Sequence, residues 1–196
     1  MKKGLIVIVT IAAVVLGLFF WFQRTYNGMV KMDEGVQAAW SQVENVYQRR
    51  ADLIPNLVST VKGYAAHEQE TLEGVISARS KATQLTVDSE NLTPDKLAQF
   101  NKAQGELSAA LGKLLAVSEN YPDLKANQNF LQLQSQLEGT ENRIAVERQK
   151  FNETARQYNT AIRQFPKNIV AGMFGFEKKP YFEAQEGAQQ APKVEF

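Results

Sequence analysis

The residues with the clearest chemical potential are His67 and Glu68, which match the first half of the zinc-binding helix motif His-Glu-x-x-His. The second histidine of that motif is absent, and His67 is the only histidine of the chain. A di-iron carboxylate bundle is excluded for the same reason, because it needs Glu-x-x-His pairs on two helices. The chain also lacks cysteine, so it can form neither a disulfide nor a Cys-ligated metal site. We therefore expect no bound metal and no cofactor.

A first polar cluster, formed by Arg49, Arg50, Asp52 and Asn56, surrounds Pro55. Proline lacks the N–H that a helix interior needs, so it leaves a backbone carbonyl without its donor. The polar side chains around it have two interpretations. They satisfy the freed carbonyls and pair across a helical bundle, or they converge on a pocket that binds a small molecule.

A second polar cluster, Glu141, Asn142 and Arg143, lies in the middle of a long helical pattern. At helical spacing one or two of these residues must approach a bundle interface, where a buried polar residue can fix register and oligomeric state. Ligand binding is the alternative interpretation. The residues of both clusters are the candidate interaction residues. We predict no catalytic residue, because no nucleophile has a base at a readable spacing and no Gly-rich loop follows a strand.

The charges of the chain are nearly balanced, with 22 Lys and Arg against 21 Asp and Glu among 196 residues and a net charge of +1. They are scattered along the chain and form no basic stripe of the kind that neutralises phosphates. We therefore expect no nucleic-acid partner. Because no catalytic constellation is recognisable, we also predict that the chain is not an enzyme.

Residues 4–22 contain no charged side chain and would form a helix about 28 Å long, enough to span a bilayer core. Bulky residues follow this apolar run, where signal peptidase requires small ones, and a lipoprotein would need a cysteine. Residues 1–25 are thus predicted to be an uncleaved, single-pass transmembrane anchor of the cell (inner) membrane. Two lysines before the span balance Arg24 and Lys31 after it. The N-terminal residues of the chain resemble the n-region and h-region of a signal peptide. This resemblance favours a body on the outer (periplasmic or extracytoplasmic) side of the membrane.

Residues 26–166 carry apolar side chains in steps of three and four, the spacing of one helix face. The first stripe runs from Met29 to Ile76 and keeps its phase across Pro55. This continuity predicts one kinked helix that ends near Leu85.

Thr93, Pro94 and Asp95 predict the start of a second helix, with a Thr N-cap, Pro at the first helical position and an acid near the positive end of the dipole. Its apolar stripe contains one polar residue, Gln104. A third long helix is predicted to end at Pro166. Three long amphipathic helices imply an all-α antiparallel bundle. Stripes of this length can also be buried by a neighbouring copy in an intermolecular coiled coil.

The C-terminal part divides into two segments. Residues 167–183 are dense in aromatic residues and glycine and are too short to span a membrane. They either pack against one end of the bundle or lie as an amphipathic segment at the membrane surface, with Lys178 and Lys179 near the headgroups. Residues 184–196 are rich in Gln, Ala and Glu, and we predict that they are disordered.

Short motifs follow one another along nearly the whole chain: YNGMV at 26–30, AWSQV at 39–43, RRADLIPNLV at 49–58, YPDLKAN at 121–127, LEGTENRIA at 137–145, YNT at 158–160, FP at 165–166, GF at 175–176 and YF at 181–182. With these motifs the chain resembles the LemA family of bacterial membrane proteins. The resemblance implies a single-pass membrane protein with a helical-bundle body, no established catalytic residues and no known biochemical function. Genes of this family often lie beside those for membrane metalloproteases of the HtpX type or TPM-domain proteins, which the resemblance makes candidate partners.

One anchor, long apolar stripes and no recognisable catalytic constellation together predict a membrane-anchored helical scaffold or adaptor of the bacterial envelope. Its predicted partners are the lipid bilayer and further copies of itself, because Ala13 and Gly17 form a small-xxx-small pair in the span. The alternative is a ligand-sensing or signalling module that uses the polar cluster at the Pro55 kink. A hydrolytic enzyme acting in the envelope is a third hypothesis.

Overall fold

The computed structural model of the chain describes residues 2–85, 87, 89 and 92–183. Six helices and no strand occur in these residues: α1 (Lys2–Tyr64), α2 (Gln69–Gln84), α3 (Pro94–Ser118), α4 (Pro122–Lys125), α5 (Gln128–Arg163) and α6 (Lys167–Phe174). The predicted all-α bundle with a long apolar N-terminal helix is confirmed. The predicted disordered tail, 184–196, lies outside the described residues.

Helix α1 runs without interruption from the apolar N-terminal segment into the body. The large apolar side chains between residues 5 and 20 are exposed, and this segment is long and apolar enough to cross a membrane. From Met29 onward α1 buries one side, including Val36 and Trp40, with the spacing that the apolar stripe predicts. Anchor and body therefore share one helix.

Helix α5 packs antiparallel along the body part of α1. Its N-cap residue, Asn127, donates a hydrogen bond from Nδ2 to the hydroxyl of Tyr64 at 2.9 Å, at the far end of α1. Further along α5, Thr154 lies beside Gly35, much closer to the start of the body. The helix ends at Arg163, close to the proline that was predicted to stop it.

Helices α2 and α3 form an antiparallel hairpin that packs its apolar sides on α1. The predicted N-cap of α3 is confirmed, because the Lys96 N–H donates to Thr93 Oγ1 at 3.3 Å. In the connection between the two helices, the carbonyl of Val87 accepts a hydrogen bond from Trp40 Nε1 at 3.0 Å. The hairpin is thereby tied to the buried side of α1.

The first helix is shorter than the sequence predicts. It ends at Tyr64, and α2 begins at Gln69 and folds back on α1, so the predicted single helix to near Leu85 is wrong. The buried residues of α2, including Leu72 and Val75, continue the spacing of the α1 stripe although they face the core from another side. The spacing of the apolar residues alone therefore does not reveal that the chain reverses its direction between α1 and α2.

Tertiary contacts hold the turn between α1 and α2. Ala65 is completely buried, and its N–H donates to the carbonyl of Val61 at 2.8 Å. The hydroxyl of Tyr121 donates to the Glu68 carboxylate at 3.0 Å. Tyr121 is distant from Glu68 in sequence, so this contact has no local signature.

Pro55 lies inside α1 without ending it. The carbonyl that loses its helical donor is that of Ala51, four residues earlier. The Nε of Arg79, on α2, donates to this oxygen at 2.8 Å. The freed carbonyl is therefore satisfied from α2 and not by the polar side chains next to the proline.

Replacing Arg79 by methionine removes this donor and keeps most of the apolar stem. We expect the full chain in mild detergent to lose about 1–2 kcal/mol of unfolding free energy, measured by urea unfolding with circular dichroism. In a Pro55→Ala background the alanine N–H can serve the same carbonyl, so the Arg79→Met change should cost less there. Equal losses in both backgrounds would contradict this account of the kink.

Candidate functional site

Arg50 is a charged residue with only 1% of its surface exposed. Its Nη1 donates to Ser108 Oγ at 2.8 Å and to Glu141 Oε1 at 2.7 Å, and its Nη2 donates to the side-chain and backbone oxygens of Gln104. A buried charge is tolerated when it is paired and hydrogen-bonded in this way. One side chain of α1 thereby joins α3 and α5.

An open cleft of about 810 Å³ lies between α3 and α5 beside Arg50. We call it the Arg50 cleft. Its polar lining consists of Tyr47, Arg50, Asn101, Lys102, Gln104, Ser108, Glu141, Arg148 and Glu183. Three helices and the segment after α6 therefore contribute to one depression in the body.

The Arg50 cleft carries charges of both signs. Lys102, Arg148 and Arg50 supply the positive charge, and the carboxylates of Glu141 and Glu183 supply the negative charge. The side chain of Glu141 is 45% exposed, so one partner of the ion pair is reachable from solvent while the other is buried. The cleft can hold a polar ligand that bears both charges, or it can serve only to lock the helices together.

Ser108 Oγ, beside Arg50, accepts a hydrogen bond from the guanidinium. An activated nucleophile would also donate its proton to a base, and Ser108 makes no such bond among the hydrogen bonds that we describe. Burial raises the pKa of the Tyr47 phenol, although the charges of Arg148 and Arg50 oppose the rise. Tyr47 is thus protonated at neutral pH, with the guanidinium carbon of Arg50 5.1 Å from its ring centre.

Of the candidate interaction residues, the structure brings Arg50 and Glu141 into contact. The others are exposed and do not line the Arg50 cleft: Arg49, Asp52, Asn56, Asn142 and Arg143. The carboxylate of Asp52 accepts a hydrogen bond from Gln48, one turn earlier on α1, at 2.7 Å. The convergence of Arg49, Asp52 and Asn56 that ligand sensing at the kink requires does not occur at this cleft.

Gln104, Ser108 and Arg148 contribute to the cleft but were not among the candidate interaction residues. For Gln104 a signal existed, because it occupies a core position in the apolar stripe of α3 and a buried polar side chain needs a partner. Ser108 lies four residues later on the same face of the helix. Nothing in the sequence distinguished Arg148, because a single charged residue in a polar stretch of a helix such as α5 is common.

After α6 the chain returns along α1 and α5 as a strap, residues 176–183, without regular secondary structure. Two asparagines of α5 hold it. Asn159 accepts from the Lys179 N–H at 2.9 Å and donates to the Lys179 carbonyl at 2.8 Å. Asn152 makes the same pair of bonds with Phe182, both at 2.8 Å. Each amide takes the place of a neighbouring peptide group, so the backbone groups of Lys179 and Phe182 are paired without a strand partner.

The strap ends in the aromatic core at Trp40. The ring of Phe182 stacks on Trp40 with centroids 5.8 Å apart, and the guanidinium of Arg148 lies 4.7 Å from the Phe182 ring centre. Arg148 also donates to the Glu183 carbonyl at 3.0 Å. The strap therefore packs against the bundle and borders the Arg50 cleft.

A model of the LemA family matches residues 39–196 of this chain. The magnetosome protein MamQ of Magnetospirillum gryphiswaldense is 30% identical over 174 residues, which cover 80% of this chain and 64% of MamQ. Protein LemA of Metamycoplasma hominis is 26% identical over 172 residues, which cover 87% of this chain and 75% of that protein. The chain thus spans about 64% of the length of the MamQ relative. Neither name states an enzymatic activity.

Arg50→Ala should lower the unfolding free energy by about 2–4 kcal/mol, because it leaves a void and removes the buried partner of Gln104. The adjacent Arg49 is exposed, so Arg49→Ala should change it by less than about 0.5 kcal/mol. Both variants are compared with the unchanged chain by urea unfolding in mild detergent. Similar stability of the two variants would show that the Arg50 network does not hold the body together.

Asn159→Ala should release the strap locally. Loss of its amide bonds to Lys179 should accelerate hydrogen exchange in residues 176–183 roughly tenfold, read by mass spectrometry of peptides. Asn142→Ala, an exposed asparagine on the same helix, is the matched control and should leave this exchange unchanged. An unchanged rate in Asn159→Ala would mean that other contacts hold the strap.

Proposed function

The chain belongs to the LemA family, and we propose that it is a membrane-anchored helical scaffold or adaptor of the bacterial envelope that associates with copies of itself. The observation that carries the proposal is the continuity of α1 from the apolar segment to the far end of the bundle. Residues 22–64 extend about 60 Å beyond that segment as a helix. A body built on an unbroken extension of its anchor holds its surfaces at a fixed distance from the membrane.

A non-enzymatic role is part of this proposal. The largest polar constellation that we describe, around Arg50, pairs a guanidinium with Glu141, Gln104 and Ser108. These contacts use the oxygens of the side chains as acceptors for a buried cation. The arrangement supports cohesion of three helices better than it supports bond-making chemistry.

The proposed location is the cell (inner) membrane, with the body on the outer side, supported by the signal-like start of the chain. The proposed partners are the bilayer, a second copy of the chain, and a membrane metalloprotease of the HtpX type or a TPM-domain protein. The apolar stripes of the body are largely buried within the chain itself. Self-association therefore has to use the anchors or exposed apolar side chains, such as Ile76, Leu131 and Val146.

One observation supports the alternative of a ligand-sensing module. The Arg50 cleft offers about 810 Å³ beside a residue of α1, the helix that continues into the apolar segment. In this version the site lies between α3 and α5, and the exposed residues Arg49, Asp52 and Asn56 take no part. The scaffold proposal ranks first because both terminal nitrogens of Arg50, Nη1 and Nη2, are already engaged within the bundle.

The scaffold proposal predicts crosslinks from the exposed apolar positions of the body. A photoreactive amino acid is placed at Ile76, Leu131 or Val146 in cells, and the attached proteins are identified by mass spectrometry. We expect crosslinks to copies of this chain, which support a self-assembled scaffold, or to another membrane protein, which supports an adaptor. Partners confined to one compartment would also establish the side of the membrane.

The matched control is Lys113, an exposed polar residue on α3. It should give fewer protein crosslinks than the apolar positions, because polar surface contributes less to stable contacts. The proposal fails if all four positions give only uncrosslinked chain and the purified protein in mild detergent stays monomeric across concentrations.

A further inference from the structure

Helix α6 packs against α1 close to where the apolar segment ends. Near the start of α6, Lys167 lines a groove that extends along α1 from Trp21 to Met32. Near its end, the ring of Phe174 lies 4.6 Å from the ring of Tyr26, measured between centroids. Both ends of α6 therefore lie beside the turns of α1 at and just after the end of the apolar segment. When the apolar segment spans a bilayer, α6 lies close to the membrane surface.

The two faces of α6 have different surroundings. Val170 and Ala171 are buried in the aromatic core of the body. On another side of α6, Ile169 and Met173, four residues apart, are 54% and 67% exposed. Phe165, in the turn before α6, is 81% exposed. We call these three residues the interfacial stripe. Because the body occupies the Val170 side, the interfacial stripe points away from the body.

We propose that the interfacial stripe inserts into the headgroup region of the leaflet from which α1 emerges, giving the chain a second membrane contact besides its span. The occupant of this surface is lipid, and the argument is continuity with the span. Phe19, Phe20 and Trp21, at the end of the apolar segment, are themselves exposed, and Trp21 lines the same groove as Lys167 of α6. Apolar side chains on a short helix at this level meet the acyl boundary without any rearrangement of the body.

The polar residues around the interfacial stripe fit the same placement. Arg24 and Arg163 are exposed on the helices that flank it. Aromatic rings and basic groups are the side chains that favour the water–bilayer interface, where the rings sit at headgroup level and the cations reach the lipid phosphates. A second contact of this kind would fix the rotation of the body about the axis of α1, which a single helix cannot do.

The absence of cysteine from the chain makes a direct test possible. Ile169→Cys and Met173→Cys are made one at a time and carry a nitroxide label. The full chain is placed in nanodiscs of phosphatidylethanolamine and phosphatidylglycerol at one chain per disc. Power-saturation electron paramagnetic resonance then measures collisions with oxygen, which concentrates in lipid, and with a water-soluble nickel chelate.

The matched control is Ile76→Cys, since Ile76 on α2 is 53% exposed, almost the same as Ile169, but lies far from the span. We expect collisions with the nickel chelate to fall several-fold at positions 169 and 173 relative to position 76, and collisions with oxygen to rise. Values equal to those at position 76 would place the interfacial stripe in water and overturn the proposal.

Protection from both reagents at 169 and 173 would also overturn it, because protein and not lipid would then cover the interfacial stripe. Circular dichroism of each labelled variant confirms that the helices are intact, which is expected because the substituted side chains are exposed. The scaffold proposal does not depend on the outcome, since its own test concerns proteins that contact Ile76, Leu131 and Val146 of the body.

Discussion

The carbonyl of Ala51 has lost its helical donor to Pro55, and the guanidinium of the preceding residue, Arg50, has left water. Either group, if unpaired, would cost about 1–3 kcal/mol or more. The first finds its donor on α2, in Arg79, and the second finds its acceptors on α3 and α5. Two consecutive residues of α1 therefore set the positions of the three other long helices. The hydrophobic contacts above and below this level add most of the burial, but they specify direction and register much less sharply.

The requirement that buried polar groups find hydrogen-bond partners also explains how an irregular segment can belong to the fold. The strap has no strand partner and no helix of its own, yet its backbone groups at Lys179 and Phe182 are paired with the amides of Asn159 and Asn152. The spacing of seven residues puts both amides on one face of α5, two turns apart. The stacking of Phe182 on Trp40 then adds apolar burial at a residue whose backbone groups are already paired. The side chains of a helix can thus give an extended segment the backbone hydrogen bonds that the edge of a sheet would give.

Features that arise from neighbouring residues could be predicted from the sequence, and features that arise from distant residues could not. The Thr93 cap and the apolar stripes have local causes, and the structure confirms them. The turn at residues 65–68 depends on burial of Ala65 and on a hydroxyl from Tyr121, more than fifty residues away. The partnership of Arg79 with Ala51 is equally non-local. Within the candidate site, Arg50 was selected because it lies near Pro55, and Glu141 because it is polar and lies in the middle of a long helix. The same arguments selected exposed neighbours of each.

The position of Arg50 on α1 determines how a signal would travel from the Arg50 cleft to the membrane. Arg50 is the only cleft residue that touches α3 and α5 at once through hydrogen bonds we describe, and it belongs to the helix that carries the apolar segment. The side chain of Glu141 is 45% exposed, so a ligand in the cleft can act on α1 by drawing Glu141 away from Arg50. Loss of that pairing leaves a buried cation with neutral acceptors, a state of higher energy. A ligand that acts by this route would therefore have to offer an anionic group in place of Glu141.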